Sequence, residues 1–381
     1  EKKKLSSELK NKIPMKLVLC KNCSLLQARY SVNPNTLYKD YWYSSGINYT
    51  MRSHLFSLYK EIRSCKEFKK FKDINILDIG CNDGTFLNFF SKKFKKVGID
   101  PSQISNKIRN KNIKIFNDFF PSTKLSLLKK KYEFITSIAM FYDLEDPIKF
   151  VKCVKKILSN KGVWIFELSY LPDMLKLNSY DTICHEHLEY YSLTSLKYIT
   201  DKCKMKIFKI KFNDINGGSI RCYVTHTNNK SFDSIDNLEF LNKFLKKENK
   251  MKINTTKPYI DFYKRILKMR TNLTRILKNL DKNGNTIHIY GASTKGNTIL
   301  QWNNIDKKII KFAADRNPQK WGARTIGSKI EIISEKLSKK KKPGYYLVLP
   351  WHFKKEFLKR EKNFLNQGGK MIFPLPKIKI Y

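Results

Sequence analysis

Ile76-Leu-Asp-Ile-Gly-Cys-Asn-Asp-Gly-Thr-Phe86 runs an apolar strand into a turn bounded by two glycines, with a helical pattern behind it. Gly80 and Gly84 let the backbone turn sharply and approach a ligand closely, as in the first βα unit of a nucleotide-binding sheet. Asp100 stands twenty positions after Gly80 at the end of the next strand candidate, where a carboxylate can accept from both ribose hydroxyls. Two details separate this loop from a dinucleotide site. Asp78 lies two residues before Gly80, where it would repel a pyrophosphate and attract a sulfonium and its ammonium. The turn, with Asn82 and Asp83 inside it, also lacks the full G-x-G-x-x-G pattern. Both favour S-adenosylmethionine over NAD. Asp118-Phe119 follows a third strand and would embrace the adenine, while Ser137–Asp143, through Ala139, would close the pocket floor. The bland alternative is a structural βαβ turn.

Strand and helix candidates alternate outward from this loop. Apolar strands are expected at Ile74–Ile79, Lys96–Ile99, Ile113–Phe116, Glu133–Ile138 and Gly162–Leu168, with amphipathic helices between them. That is the pattern of a parallel, doubly wound sheet. Phe208–Phe212 and Ser219–Thr225 flank a glycine-rich turn and read as an antiparallel pair closing the sheet. The fold class is thus α/β, a Rossmann-like class I methyltransferase layout. A second β-α-β run follows, with strands at Thr286–Tyr290, Ile309–Ala314, Tyr345–Leu349 and Met371–Pro374 and a helix over 352–366. The chain divides into an N-terminal segment (1–50), a methyltransferase domain (51–228), a charged helical connector (229–282) and a second Rossmann-like α/β domain (283–381).

At 381 residues, with 41% hydrophobic and 13% aromatic side chains, the chain can build two or three cores and is not a disordered polybasic protein. The net charge of +43 would suit nucleic acid. However, the lysines run through the whole sequence beside abundant Asn and Ile, as in the drift of an A/T-rich genome. A nucleic-acid-binding protein on a degenerate methyltransferase fold is therefore the rival from another class. No apolar stretch approaches the ~20 residues that cross a bilayer, and no membrane partner is expected. Of eight cysteines only Cys20 and Cys23 form a close CxxC pair, and the rest scatter through hydrophobic runs, which suits a reducing cytoplasm. The first residue is Glu1, so an upstream segment is expected. Monomer and homodimer stay open.

Asn178-Ser-Tyr-Asp-Thr-Ile-Cys-His-Glu-His-Leu-Glu-Tyr-Tyr-Ser192 follows a strand's carboxyl end, where open α/β sheets place their chemistry. His185 and His187 flank Glu186, a neighbourhood able to hold a general base near working pH. The second glycine turn, Tyr290-Gly-Ala-Ser-Thr-Lys-Gly-Asn297, carries no acid. Gly291, Ser293, Thr294, Lys295, Gly296 and Asn297 instead offer small residues, hydroxyls, a lysine and a helix N-terminus, which together cradle an anion such as a diphosphate. Asp315 and Arg316 follow the next strand, where they would meet a ribose and a phosphate. Trp351-His352 would border the same cleft or simply pack.

His185-Glu-His-Leu-Glu-Tyr-Tyr-Ser192, Asn216-Gly-Gly-Ser-Ile-Arg221, the Tyr290–Asn297 turn and Asp315-Arg-Asn-Pro318 stand in the order seen in the sugar C-methyltransferase family, which the chain resembles over nearly its whole length. The resemblance implies a zinc-binding N-terminal subdomain, a central S-adenosylmethionine domain and a C-terminal domain holding a nucleotide-linked 4-keto deoxysugar. It also implies a base that removes a C3 proton beside the C4 ketone, with in-line methyl transfer to the enolate. On this pattern His185 and His187 match the family's histidine motif, Tyr43 is an aromatic near the sugar, and Arg221 falls in a substrate motif. The family's zinc site takes two further cysteines upstream of Cys20 and Cys23. One departure matters: where C3-methylating members carry a histidine before Gly-Gly-Ser, this chain has Asn216. Asparagine takes up no proton at neutral pH. Either the His185/His187 cluster supplies the base, or the reaction is methylation of a hydroxyl or of another carbon.

Overall fold

The structure, a computed structural model, describes residues 13–38, 44–64, 74–126 and 130–381; Tyr43 lies outside them. A short antiparallel pair, β1 (Leu17–Leu19) and β2 (Leu26–Ala28), opens it. The next five strands are β3 (Asn75–Ile79), β4 (Lys95–Ile99), β5 (Ile113–Phe116), β6 (Tyr132–Ile138) and β7 (Leu158–Ser169). After β8 (Glu189–Tyr190), which pairs with β2, come β9 (Met205–Asn213) and β10 (Ser219–His226). The central sheet has the order β5-β4-β3-β6-β7-β10-β9. Its first five strands are parallel and β10 runs antiparallel to both neighbours. β3 and β4 each bury four consecutive residues, as strands covered on both faces must. The chain order reverses between β3 and β6, and the crevice at such a switch point is where α/β sheets bind ligands.

A second sheet contains β11 (Ile287–Tyr290), β12 (Phe312–Asp315), β13 (Glu331–Ser334), β14 (Tyr345–Val348), β15 (Lys370–Phe373) and β16 (Lys379–Ile380). Its order is β13-β12-β11-β14-β15-β16, parallel except for the edge strand β16. The α/β fold expected from the glycine loops is therefore present twice.

Three local expectations change. β13 escapes a reading by apolar runs because Glu-Ile-Ile-Ser is too short to stand out. β7 begins at Leu158 rather than Gly162, since Leu158 pairs with Tyr132 across a register shift. The helix expected over 352–366 divides into a turn at Trp351–Phe353 and helices at Lys354–Arg360 and Lys362–Asn366. Glu361, at the break, turns inward, where it accepts from Tyr290 Oη at 2.7 Å and pairs with Lys339 at 2.7 Å.

The charged segment after β10 forms two helices. Ile235–Lys250 packs on the central sheet through Leu241, and its buried Glu248 accepts from Tyr170 Oη and from the amides of Leu193 and Thr194, capping the helix Leu193–Lys202. Lys257–Lys282 buries Phe262, Ile266, Leu273 and Leu277 in the C-terminal core. That core also takes in Leu171, Met174, Leu175 and Tyr180 from the chain leaving β7, so the two sheets share apolar contacts. Arg265 on the long helix donates to Asn178 Oδ1 at 2.8 Å and to the Leu175 carbonyl at 2.6 Å, reinforcing the seam. Among the described residues no helix is long and apolar enough to cross a membrane. Leu277→Ala removes a fully buried side chain from this core and should cost about 2–5 kcal/mol in urea unfolding.

Candidate active site

A cavity of about 750 Å³ lies at the carboxyl ends of β3 and β6 and extends to the second glycine turn. Asp78, Gly80, Asn82, Asp83, Asp100, Asp118, Phe119 and Ala139 line one end, and Ser293, Thr294 and Lys295 line the other, with Glu186, His187 and Asn216 between them. The volume is in the upper part of the range for small-molecule sites, with room for more than one ligand.

At the first end, Gly80 and Gly84 take left-handed backbone (φ +77° and +73°). A Cβ on Gly80 would meet Met140 at 2.9 Å and crowd the cavity wall. Asp100 accepts the Asn82 amide at 2.9 Å through Oδ2 and the Ser102 amide at 2.9 Å through Oδ1, which fixes its carboxylate beside the turn. Asp118 accepts from the Phe119 amide and from Ser122 Oγ. Asp78 is buried and its Oδ1 accepts from Thr136 Oγ1 at 2.6 Å. Burial, aided by the charge of Asp100, raises its carboxyl to about 7 despite that hydrogen bond. A buried acid with this elevated proton affinity gains from a cationic ligand, so the chemistry of the donor set fits S-adenosylmethionine.

Asn82 and Asp83 also hold protein. Asn82 Oδ1 accepts the Ser45 amide at 2.9 Å; Asp83 accepts the Gly46 amide at 2.7 Å and the Ser44 hydroxyl. The segment at Ser44–Gly46 is thereby strapped over the loop, and the helix that follows it, Tyr49–Ser64, brings Met51 and Leu55 to the cavity.

The central motif separates its two histidines. His185 Nε2 lies 3.0 Å from the Ile13 carbonyl and is not among the cavity-lining residues. His187 lines the cavity, with Nδ1 2.7 Å from the Thr182 carbonyl and its ring against Tyr142. That contact places the proton on Nδ1 and leaves Nε2 as an acceptor. Burial, with the charge of Lys295, lowers His187 to about 3, so its ring is neutral near pH 7. Burial raises Glu186 to about 7, opposed by Lys295.

Lys295 Nζ is buried and makes no hydrogen bond, although it lines this part of the cavity. Asp181, buried, keeps Oδ2 on the Trp351 indole at 2.9 Å and leaves Oδ1 without a donor. Asp143 Oδ1 and His352 Nδ1 are likewise buried and unbonded. Sequence reading singled out Lys295 but passed over Asp181, which lies inside the quoted motif, and Lys320, an ordinary lysine to the eye. Lys320 Nζ reaches the Ala292 carbonyl at 2.6 Å and Asp315 at 3.0 Å at the cavity edge.

The other expected substrate contacts are placed differently. Asp315 is occupied by the Ala292 amide, Lys320 and the Asn317 amide. Arg316 is exposed, and neither it nor Asn297 lines the cavity. Gly291 and Gly296 serve close packing: a Cβ there would meet Pro350 and Leu349, each at 2.6 Å. Arg221 is corrected most clearly. It lies on β10 opposite Glu167, and its guanidinium pairs with Glu167 and Glu61, both at 2.8 Å, with His54 beside it. This network docks the Tyr49–Ser64 helix onto the sheet and leaves no donor facing the cavity.

Cys20 and Cys23 sit in the tight turn between β1 and β2. The amides of Cys23 and Asn22 lower the Cys20 thiol, whereas burial raises that of Cys23. Amide-stabilised sulfur in such a turn suits half of a tetrahedral site. Among the described residues no group of three or more His, Cys, Asp or Glu could hold a metal.

Both halves of the chain are similar to known methyltransferase domains. A methyltransferase-domain model matches residues 51–202, and a model described as the C-methyltransferase C-terminal domain matches residues 214–376. The C-methyltransferase NovU of Streptomyces niveus is 25% identical over 373 residues, covering 96% of this chain and 87% of that protein. Among solved structures, the plantazolicin methyltransferase BpumL is 19% identical with a TM-score of 0.36, over 48% of this chain and 88% of that one. An S-adenosylmethionine-dependent methyltransferase from Clostridium acetobutylicum is 16% identical with a TM-score of 0.35, over 47% and 92%. Sheet order, acid-flanked loop and domain match together define an S-adenosylmethionine-dependent methyltransferase. The match continues through the second sheet and is narrower there: residues 214–376 are similar to the C-methyltransferase C-terminal domain.

Because Asp78 must ionise to attract a cation, affinity for S-adenosylmethionine should weaken by up to tenfold per unit as pH drops below about 7. Asp78→Asn should weaken binding at pH 8 and flatten that profile in calorimetric titration.

Proposed function

We propose that the enzyme methylates a carbon beside the ketone of a nucleotide-activated deoxysugar. The observation carrying this reading is the single cavity that joins the acid-flanked loop to the Ser293–Lys295 turn, with buried, unbonded polar atoms between them. S-adenosylmethionine, bound at the Asp78–Asp118 end, supplies an electrophilic methyl group on sulfur. The protein positions the sugar and moves one proton.

Glu186 is the base in this reading. Its carboxyl lies in the cavity and is raised to about 7, near the pH at which a base works best. His187, tied at Nδ1 to Thr182, orients its Nε2 acceptor as a neutral contact. As the C–H pair moves into a carbon–carbon double bond, the carbonyl π pair moves to oxygen; S-adenosylmethionine held at the Asp78–Asp118 end would supply the methyl carbon to the nucleophilic ring carbon, the methyl–sulfur pair leaving with its sulfur as the carbonyl re-forms. The proton on Glu186 then leaves to water. Asn216, held at φ +56° on the cavity wall, contributes an amide where a histidine would have stood and takes no proton. That substitution is what keeps sugar O-methylation as a second reading on the same scaffold. Ser293 and Thr294, at the start of the helix Thr294–Trp302, are proposed to hold the diphosphate. Cys20 and Cys23 are proposed to bind a structural zinc together with ligands outside the described residues.

Turnover of S-adenosylmethionine with a panel of dTDP- and GDP-4-keto sugars, followed by NMR of the product, and calorimetric titration with S-adenosylhomocysteine test the reaction. A new methyl carbon on the ring carbon next to the ketone is expected. A methoxy signal would establish O-methylation, and no product from any sugar together with no heat from S-adenosylhomocysteine would refute the proposal. In the same assay kcat should rise with pH through about 7, as the Glu186 carboxylate forms. Glu186→Gln should lower kcat roughly 100- to 10,000-fold and remove that limb.

A further inference from the structure

We infer that Lys295 and Asp181 form a clamp for an α-hydroxy ketone, with the Lys295 ammonium receiving the carbonyl oxygen and Asp181 Oδ1 accepting from the neighbouring hydroxyl. This rests on the keto-sugar reading above and reassigns Lys295 from the diphosphate to the reacting centre.

Burial is the first ground. Lys295 belongs to the first turn of the helix Thr294–Trp302, yet its Nζ is buried and unbonded inside the cavity. An ammonium out of water and without an acceptor is costly, and a bound ligand can supply the acceptor. Local charge is the second. Asp143, Asp181 and Glu186 all line the same region, and each feels the Lys295 charge, as do His187 and His352. A diphosphate set beside Glu186 in its working, ionised form would be repelled; a neutral carbonyl would not. Third, the clamp is preorganised with an open end. Asp181 is fixed through Oδ2 by the Trp351 indole, and Trp351 packs so closely on the Asn216-Gly-Gly turn that a Cβ at Gly217 would stand 3.0 Å from its ring. Asp181 Oδ1 and Lys295 Nζ form no hydrogen bond with each other. A carbonyl and an adjacent hydroxyl match one donor and one acceptor held apart in this way.

In the enolisation step Glu186 takes the proton from the carbon next to the ketone. The C–H electron pair becomes the new carbon–carbon π bond and the carbonyl π pair passes to oxygen. Lys295 keeps its proton and donates a hydrogen bond to that oxyanion, the role of an oxyanion-hole donor.

The test is solvent exchange without methyl transfer. The whole protein, saturated with S-adenosylhomocysteine, is mixed with a dTDP-4-keto sugar in deuterium oxide, and NMR follows deuterium entering the carbon beside the ketone. Lys295→Met should slow exchange at saturating sugar by roughly 100- to 1,000-fold, with affinities for dTDP and S-adenosylhomocysteine within twofold of the parent. Lys295→Arg should recover part of the rate. Asp181→Asn should raise KM about tenfold for the hydroxy ketone and leave it unchanged for the analogue lacking that hydroxyl. Unchanged saturated exchange in Lys295→Met, with dTDP affinity lost, would make Lys295 a phosphate ligand and overturn the clamp alone. If the parent enzyme exchanges no keto sugar while binding S-adenosylhomocysteine, the sugar reading fails and the clamp fails with it. Retained S-adenosylhomocysteine affinity shows that each variant is folded.

Discussion

The hydrogen bond from the Trp351 indole to Asp181 ties the second sheet to the chain leaving the first at the wall of the shared cavity. Trp351 follows the last residues of the strand β14 in the second sheet, and Asp181 belongs to the chain leaving the first. The bond is buried beneath an apolar seam in which Leu171, Met174, Leu175 and Tyr180 pack with the C-terminal core. Two sheets that each present a glycine turn would make two separate clefts if they merely followed one another along the chain. Pinned here, they make one.

Charge is distributed unevenly over that shared space. The end near β3 is acidic, through Asp78, Asp100 and Asp118; the end near β11 has hydroxyls and amides. Beside those hydroxyls the buried Nζ of Lys295 shares the cavity with Asp143, Asp181 and Glu186. Desolvation raises Asp78, Glu186 and Asp181 and depresses His187 and His352, so at neutral pH the histidines are uncharged, and Asp78 and Glu186, both near 7, are poised to exchange protons. Away from the cavity the same residue types are simply paired. Arg221, Glu167 and Glu61 neutralise one another and fasten a helix.

Much of the fold was legible because glycine turns and buried parallel strands leave strong local marks. Ile76–Phe86 and Thr286–Asn297 each announced a strand, a turn and a helix, and the antiparallel closure followed from one glycine-rich hairpin. β13 and the break at Glu361 were not legible, since they depend on partners distant in sequence. The site divided the same way. Motif membership alone could not tell that His185 faces Ile13 while His187 faces the cavity, because neighbouring side chains in an irregular turn diverge for reasons of packing. Arg221 looked available for the same reason: its carboxylate partners come from a strand and a helix that local sequence does not place. Asp181 and Lys320 carried no mark beyond ordinary composition.

The helix Lys257–Lys282 has a consequence for how this scaffold diversifies. By burying one face in the second sheet's core while Arg265 grips the chain leaving the first, it leaves little freedom for the sheets to swing apart. A cleft of fixed width discriminates by the shape of its walls, not by clamping shut on whatever enters. New acceptor preferences would then arise through exchanges of single wall side chains, each felt at once, with the frame inherited unaltered.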